Sequence, residues 1–344
     1  MAQIDKDVIK FIRENPLSSS PEIQKGIDSG SLSTVKRVIS NLLDNGQIIS
    51  EGHRRSTRYL ISPVNELLSD IDMNIYFEKE VDEREIKEGF NFYLVREILS
   101  KVNIFTSAEI NDLQQLQEEF RQNVAHMSMD LYNKEMERLA IDLSWKSSQI
   151  EGNTYSLLET ERLLKDKETA AGKPKDDAIM LLNHKEVLNF ILENPHYVVP
   201  LTISRIEDLH SILVRDLPVD RNIRQHRVGI SGTNYKPLDN EYQIREALED
   251  MCNLINNKEN VFEQSILVLL LLSYIQAFTD GNKRTARIIS NAILIANKFC
   301  PISFRTIDSV EYKKAMLIFY EQNNINAFKQ IFIEQFRFAV KTYF

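Results

Sequence analysis

The pattern of apolar and polar positions predicts a chain built mainly of helices. Residues 265–275, Ser-Ile-Leu-Val-Leu-Leu-Leu-Leu-Ser-Tyr-Ile, are apolar on nearly every face, which is typical of a helix buried on all sides. After a polar stretch, apolar residues recur at helical spacing from Ala286 to Ala296. The polar stretch 276–287 is therefore predicted to join two buried helices, and it holds most of the candidate chemistry.

The same periodicity predicts further helices from about residue 116 onward and three helices near the N-terminus. Residues 63–115 are charged and helical in places, so we interpret them as a helical connector between an N-terminal domain (1–62) and a helical domain (116–344). The period changes at residues 227–237, which predict a β-hairpin with its turn at Gly232. The fold class is mainly α, a helical bundle carrying this hairpin.

The N-terminal domain, 1–62, resembles a winged helix-turn-helix, because three helices precede two short strands at 48–50 and 58–61. That resemblance implies DNA as a partner, with helix 31–45 in the major groove and the hairpin on the phosphates. The residues expected to contact DNA are Thr34, Lys36, Arg37, Asn41, Arg54 and Arg55. Winged helices also serve in dimerisation or docking, and this alternative stays open.

Charge and composition narrow the function further. The chain of 344 residues carries a net charge of -8, yet residues 1–62 hold nine Lys/Arg against seven Asp/Glu. The remaining acidic body is a poor general nucleic-acid binder. Cys252 and Cys300 lie in apolar contexts without ligand spacing and are expected to be reduced core thiols. No signal peptide is visible, and the run 265–275 is too short to span a bilayer, so we expect a cytoplasmic protein without a membrane partner.

The polar stretch has the residues of a phosphate-binding turn. Gly281 allows unusual backbone conformations, and the helix that begins there offers unpaired N–H groups to an anion. Asp280 could hold Mg²⁺ against a phosphate, while Arg284 and Arg287 could clamp its oxygens. In the alternative interpretation, Asp280 only caps the helix and both arginines face water.

The stretch 276–287 resembles the signature of Fic/Doc (Fido) proteins, His-x-Phe-x-Asp/Glu-Gly-Asn-Gly/Lys-Arg-x-x-Arg. It matches at six positions: Phe278, Asp280, Gly281, Asn282, Arg284 and Arg287. The resemblance implies transfer of AMP from ATP to a Ser, Thr or Tyr hydroxyl of a target protein. It also implies that Asp280 binds Mg²⁺ and that the phosphates contact Gly281 to Arg284, including Lys283, and Arg287. Asn282 would steady the loop, and Phe278 would pack beneath it.

Two more segments extend the resemblance. Ser147 to Gly152 fits Ser/Thr-x-x-x-Glu-Gly/Asn, the motif of a self-inhibiting helix, here about 130–153. In such proteins the glutamate pairs with the second signature arginine, which implies a Glu151–Arg287 pair that withholds the arginine from ATP. The alternative is an ordinary helix end closed by Gly152. The hairpin 227–237 resembles the family's flap, in which Val228, Ile230, Gly232 and Tyr235 fall where a target segment adds as a strand.

The chain departs from the family's histidine at position 276, and at position 283 it has Lys instead of the Gly of most AMP-transferring members. Gln276 replaces the histidine that removes the target's proton, and an amide cannot accept a proton. Lys283 resembles the Doc toxins, in which γ-phosphate is transferred. Three hypotheses therefore stay open: an autoinhibited adenylyltransferase of low activity, a degenerate nucleotide-sensing regulator that binds DNA, and a Doc-like protein kinase. Related proteins suggest a homodimer, which no residue pattern here specifies.

Overall fold

The computed structural model describes residues 3–27 and 30–344, together with every side chain in those ranges except that of Arg55. The chain divides into two compact units. The smaller comprises Met1–Asp70 and Gln322–Asn326, and the larger comprises Ile71–Glu321 and Ala327–Phe344. Helices dominate both units, so the predicted mainly α class is confirmed.

The smaller unit contains three helices followed by an antiparallel hairpin and a short fourth helix. Its elements are α1 (Gln3–Glu14), α2 (Ser20–Gly26), α3 (Leu32–Asp44), β1 (Ile48–Glu51), β2 (Arg58–Ile61) and α4 (Pro63–Leu68). Ser19 begins α2 with a capping box, because its backbone N–H donates to the Glu22 carboxylate at 2.7 Å. The apolar faces of the three helices and the first strand residue, Ile48, form one core.

A distant segment completes this unit. The Asn324 side chain donates to the carbonyls of Glu66 and Ser69, each at 2.8 Å, and the Ile325 N–H donates to the Leu67 carbonyl at 2.8 Å. The end of α4 therefore has its carbonyls satisfied by residues from far along the sequence.

The larger unit is a bundle of helices. Its elements are α5 (Met73–Tyr76), α6 (Ser107–His126), α7 (Met129–Ile150), α8 (Leu157–Asp166), α9 (Lys175–Glu193), α10 (Ile203–Leu213), α11 (Glu241–Asn257), α12 (Val261–Ile275), α13 (Asn282–Ala296), α14 (Ser309–Gln322) and α15 (Asn326–Tyr343). The predicted buried helix is α12, which lies at the centre and packs against α11 and α13. Every residue from Ser265 to Ile275 is buried, as the apolar pattern required.

The predicted separate connector, residues 63–115, is not a unit of its own. Residues 63–70 belong to the smaller unit and 71–115 to the larger, and the proposed boundary at 115/116 falls inside α6. The reason is burial: Leu94, Leu99 and Ile104 are at most 2% exposed. The charged residues around them mark a solvated outer face of the bundle rather than a free linker.

The predicted β-hairpin at 227–237 is also wrong, since the structure contains a turn at Ser231–Gly232 but no paired strands there. Backbone groups at or just beyond its two ends bond elsewhere. The Arg224 guanidinium donates to the carbonyls of His226 (2.6 Å) and Leu238, while the Lys236 N–H donates to the Glu88 carbonyl (2.6 Å). Because a buried side chain and a separate segment satisfy these groups, cross-strand pairing does not form.

We expect α12 to determine the stability of the larger unit. Leu270 is fully buried on α12, so Leu270→Ala should lower the free energy of unfolding by about 2–5 kcal/mol. The measurement is urea denaturation followed by fluorescence of Trp145, the single tryptophan. Leu158→Ala on α8, where the side chain is 77% exposed, serves as control and should change it by less than about 0.5 kcal/mol. Equal effects of both substitutions would contradict the central role of α12.

Candidate functional site

The turn between α12 and α13 is closed by the side chain of Asn282. Its Oδ1 accepts from the Phe278 N–H at 2.8 Å, and its Nδ2 donates to the Phe278 carbonyl at 2.7 Å. Gly281 has φ +82°, and a Cβ there would lie 3.2 Å from the His210 ring. Both the left-handed backbone and the close neighbour therefore require glycine.

His210 supports the turn from below. Its ring stacks on Phe278 with centroids 3.6 Å apart, and its Nε2 lies 2.9 Å from the Asp280 carbonyl oxygen. Burial lowers the pKa of His210, so the ring is neutral near neutral pH. Its contact with the turn was not predictable from its place on α10.

Two arginines on α13 are buried beside the turn. Arg284 is 1% exposed, and its Nη2 pairs with Asp280 Oδ2 at 3.1 Å. Its Nε and Nη1 have no hydrogen-bond partner among the described residues. Buried guanidinium N–H groups without partners are costly, so Arg284 presents unused donors. The alternative in which both arginines face water is wrong.

Arg287 is held by the end of α7. It is fully buried, and its Nε donates to Ser147 Oγ at 2.9 Å. Its Nη2 donates to the Ser147 carbonyl at 2.9 Å and to Glu151 Oε1 at 2.7 Å. The Glu151–Arg287 pair expected from the sequence is thus present, at the point where α7 ends and Gly152 turns the chain with φ +100°.

Glu151 also faces a second cation of the turn. Its Oε2 lies 3.4 Å from Lys283 Nζ. Burial opposes ionisation of this carboxyl, but Arg287 and Lys283 outweigh burial and hold the pKa of Glu151 below its usual value. The carboxylate is therefore charged at neutral pH, placed among three basic side chains.

Two small cavities meet at Glu151. A polar cavity of about 170 Å³ is lined by the turn, including Asp280, Asn282 and Arg284. A more apolar cavity of about 200 Å³ is lined by α14 residues such as Tyr312 and Met316. Four residues border both cavities: Glu151, Ile230, Ser231 and Lys283. The flap segment thus covers the junction of the two cavities.

Both polar atoms of the Gln276 side chain make a hydrogen bond within the turn. Its Nε2 donates to the Ser273 carbonyl at 2.6 Å, and its Oε1 accepts from Asn282 Nδ2 at 3.2 Å. Arg224, which is 1% exposed, donates from Nε to the Gln276 carbonyl at 2.6 Å. The amide and the buried arginine both fix the turn. Sequence reasoning missed Arg224, because a buried arginine in a loop has no periodic signal.

The flap residues differ in exposure. Val228 and Ile230 are partly exposed and Gly232 is exposed, whereas Tyr235 is 2% exposed and its hydroxyl donates to the Tyr274 carbonyl at 2.9 Å. Tyr235 therefore anchors the base of the flap. The backbone carbonyl of the exposed His226 accepts a hydrogen bond from Arg224.

Asp280 offers a single carboxylate for a metal. Its Oδ1 accepts from the Gly281 N–H at 2.6 Å, and the side chain is 64% exposed. The described ranges 3–27 and 30–344 hold no group of three or more His, Cys, Asp or Glu that would form a metal cage. This donor set suits Mg²⁺ bound mainly by phosphates and water. A protein-only metal centre would need more ligands.

The predicted DNA-contacting residues lie in the smaller unit. Lys36, Arg37 and Asn41 are exposed on α3, and Arg54 is exposed between the two strands. Thr34 is partly buried, with Oγ1 3.0 Å from Ser31 Oγ. The side chain of Arg55 lies outside the described residues.

His184, on α9, is a second buried histidine near the site, and its role was not predicted from the sequence. It is fully buried and its Nδ1 lies 3.2 Å from Ser144 Oγ of α7. Burial, aided by the nearby charges of Arg287 and Arg284, lowers the pKa of His184 to about 3. A neutral ring therefore packs behind the two arginines.

The helical bundle is similar to known proteins of the Fic/DOC family. Residues 200–294 match the model of the Fic/DOC family. "Protein adenylyltransferase Fic" of Nematostella vectensis is 31% identical over 182 residues, covering 49% of this chain and 40% of that protein. "Protein adenylyltransferase fic-1" of Caenorhabditis briggsae is 26% identical over 224 residues, covering 62% and 43%. The match thus spans less than half the length of either relative.

Solved structures show the same fold. A fragment of Fic-1 from C. elegans (residues 134–508 in its own description) has a TM-score of 0.60 at 20% identity, covering 69% of this chain and 72% of that one. A Fic domain containing signaling protein from Bacteroides thetaiotaomicron has a TM-score of 0.57 at 19% identity, covering 67% and 95%. The larger unit contains the Fic fold. No helix in the described ranges is long and apolar enough to cross a membrane.

Neutral His184 makes stability depend on pH. Its pKa of about 3 in the folded chain lies below the ordinary 6.5, so the unfolded chain binds the proton more readily between those values and stability falls as the pH drops below 6.5. Between pH 7.5 and 5.5 we expect a loss of about 1.4 kcal/mol, which His184→Gln removes. Urea denaturation at both pH values measures it.

The exposed His196 supplies the control. His196→Gln should keep the wild-type difference between the two pH values. A wild-type slope that survives in His184→Gln would show that another group is responsible.

Proposed function

We propose that this chain is a Fic-type ATP-binding protein that transfers AMP from ATP to a hydroxyl of a protein. The observation that carries the proposal is the buried Arg284 at the polar cavity, with Nε and Nη1 unpaired beside the first N–H groups of α13. Buried donors at a helix start suit an anion with several oxygens. The relatives named as protein adenylyltransferases support the same activity.

The two cavities suit the two halves of ATP. The polar cavity, with Gly281, Lys283 and Arg284, has donors for phosphates. The apolar cavity, with Tyr312 and Met316, suits a purine ring. Asp280 would hold Mg²⁺, which when bound with ATP neutralises phosphate charge.

Glu151 restrains this site in the proposed mechanism. Its carboxylate borders both cavities and is paired with Arg287 and Lys283. A phosphate would have to displace it from these cations, because two anions on one guanidinium repel each other. We infer that Glu151 holds Arg287 away from ATP, so the resting protein is autoinhibited.

Gln276 limits the chemical step. In adenylyl transfer the target oxygen bonds to the α-phosphorus, the bond to the bridging oxygen breaks, and pyrophosphate leaves while the hydroxyl proton departs. The Gln276 amide cannot accept that proton, and it is already bonded to Ser273 and Asn282. Loss of a general base typically lowers a rate by about 10²–10⁴-fold.

The engagement of Gln276 also favours a second function. An amide that closes the turn preserves nucleotide binding without supplying a base, as a nucleotide-sensing regulator needs. In that case the smaller unit would carry the regulated activity, and its α3 exposes Lys36 and Arg37. We propose DNA binding by this unit as the companion activity, and its resemblance to a winged helix supports it.

Labelled ATP distinguishes these functions. We expect little self-labelling from the wild type or Glu151→Gly with α-labelled ATP. Glu151→Gly combined with Gln276→His should self-label about 10²-fold faster, because it frees Arg287 and restores a base. Gel autoradiography after incubation with Mg²⁺ measures this. Asp142→Asn removes another ion pair of α7, that of the buried Asp142 with the partly exposed Arg305 at 3.1 Å, and should not activate self-labelling.

Each other outcome has a defined meaning. Label from γ-labelled ATP alone would support a Doc-like kinase. ATP binding by every variant without any transfer would favour the regulator. If the double variant neither binds nor transfers nucleotide, the enzymatic proposal fails.

DNA binding has its own test. Lys36→Glu with Arg37→Glu should weaken binding to a mixed-sequence duplex at least about tenfold at low salt, because two phosphate contacts are lost. Fluorescence anisotropy with a labelled duplex measures this. Lys10→Glu, at an exposed position of α1, is the control with one charge reversed away from α3. Equal binding by all forms would exclude α3 as the DNA-contacting helix.

A further inference from the structure

A buried ion pair contacts the tip of the flap. Arg84 lies in residues 76–89, which we name the strap, and its Nη1 is 3.1 Å from both carboxylate oxygens of Glu321. Its Nη2 donates to the Gly232 carbonyl at 2.8 Å. The two side chains are 3% and 0% exposed. A buried guanidinium between a carboxylate and a turn carbonyl holds that turn in place.

The strap contacts the flap at two more points. Asn234 Nδ2 donates to Asp82 Oδ1 at 2.8 Å. Lys236 donates from its backbone N–H to the Glu88 carbonyl at 2.6 Å and from Nζ to the Glu88 carboxylate at 2.7 Å. The strap therefore follows the flap from residue 232 to residue 236.

The strap and the flap also share one anchor on α12. Tyr235 stacks on Tyr274 with centroids 4.7 Å apart. The Tyr274 hydroxyl donates to the Gly89 carbonyl at 3.1 Å and accepts from the Asn91 N–H at 3.2 Å. Tyr274 lies two residues before Gln276. Both the strap and the flap are therefore attached to α12 next to the turn between α12 and α13.

The outer part of the flap lacks support of its own. Residues 228–230 make no backbone–backbone hydrogen bond within the described part of the chain. Ordering such a segment costs about 1–2 kcal/mol per residue. If the flap is already ordered before a target segment binds along it as a strand, less of this entropic cost remains at binding.

We propose that Arg84 is a positioning residue, which fixes the flap through the Gly232 carbonyl and so prepares the flap for docking of the target segment. The role in docking rests on the proposed transfer activity. The ordering of the flap does not. Lysine cannot replace Arg84 fully, because the planar guanidinium reaches the carboxylate and the carbonyl from two different nitrogens, whereas lysine has one.

Hydrogen exchange of the Tyr235 and Lys236 amides tests the ordering, because these N–H groups donate to Thr233 Oγ1 at 3.1 Å and to the Glu88 carbonyl at 2.6 Å. In Arg84→Met we expect exchange there about 10- to 100-fold faster, since charged hydrogen bonds are lost, and an intermediate rate in Arg84→Lys. Asp82→Ala, an exposed strap substitution, should speed exchange near Asn234 only, and it keeps the test valid if Arg84→Met does not fold. ATP affinity, by fluorescent-nucleotide displacement, should stay within about twofold, because Arg84 does not line either cavity.

The matched control is another buried pair of the larger unit. Lys258 Nζ lies 2.9 Å from Glu263 Oε2, with side chains 11% and 5% exposed, so Lys258→Met loses a comparable pair elsewhere. Its flap should exchange at the wild-type rate. Wild-type exchange in both Arg84→Met and Asp82→Ala, or equal acceleration by Lys258→Met, would overturn the proposal.

The docking role has a separate readout. In the Glu151→Gly and Gln276→His background, Arg84→Met should lower the maximal self-labelling rate without raising KM for ATP. A raised KM with an unchanged maximal rate would overturn the docking role. If that background neither binds nor transfers nucleotide, the proposed function fails while the exchange result still decides the ordering role.

Discussion

Two buried arginines on one helix constrain the larger unit. Arg284 and Arg287 bring two positive charges into the bundle next to a polar turn. Charge buried without compensation is costly, and Glu151, Asp280 and the Ser147 groups compensate only in part. Several neighbouring residues fit this arrangement of cationic donors around a small polar cavity. They are the neutral His184 and His210, Gly281, and Asn282, whose side chain closes the turn. A bound polyanion would complete that compensation.

At the end of α7 a stabilising contact is also the contact on which the proposed regulation depends. Glu151 compensates the buried charge of Arg287, and in the proposed function the same contact would compete with phosphate for the guanidinium. Removing the carboxylate therefore frees a donor and also leaves a buried cation less compensated. We expect substitutions at this position to trade stability against nucleotide affinity, unlike those at Asp142 on the same helix.

Sequence reasoning predicted elements with a strong apolar period and residues within a contiguous motif. It placed α12, α13 and the hairpin of the smaller unit, and the family motif connected Glu151 with Arg287 across 136 residues. It predicted paired strands at 227–237 because alternation and Gly232 are typical of a hairpin, yet Arg224 and the strap bond the backbone at or just beyond the two ends of this segment instead. Arg84, Arg224 and His184 were missed for one reason: a single buried polar residue looks like any surface residue until its neighbours are known.

The discontinuous smaller unit has a consequence for any fragment of this chain. A fragment that ends at residue 70 lacks Asn324 and Ile325, which donate to the last carbonyls of α4. A fragment that begins at residue 71 keeps these donors without their acceptors, immediately after Glu321, the residue that holds Arg84. Cutting the sequence at residue 70 would therefore leave unpaired donors within four residues of Glu321, one partner of the strap's ion pair. A loss of flap order in such a fragment would then follow from the cut itself.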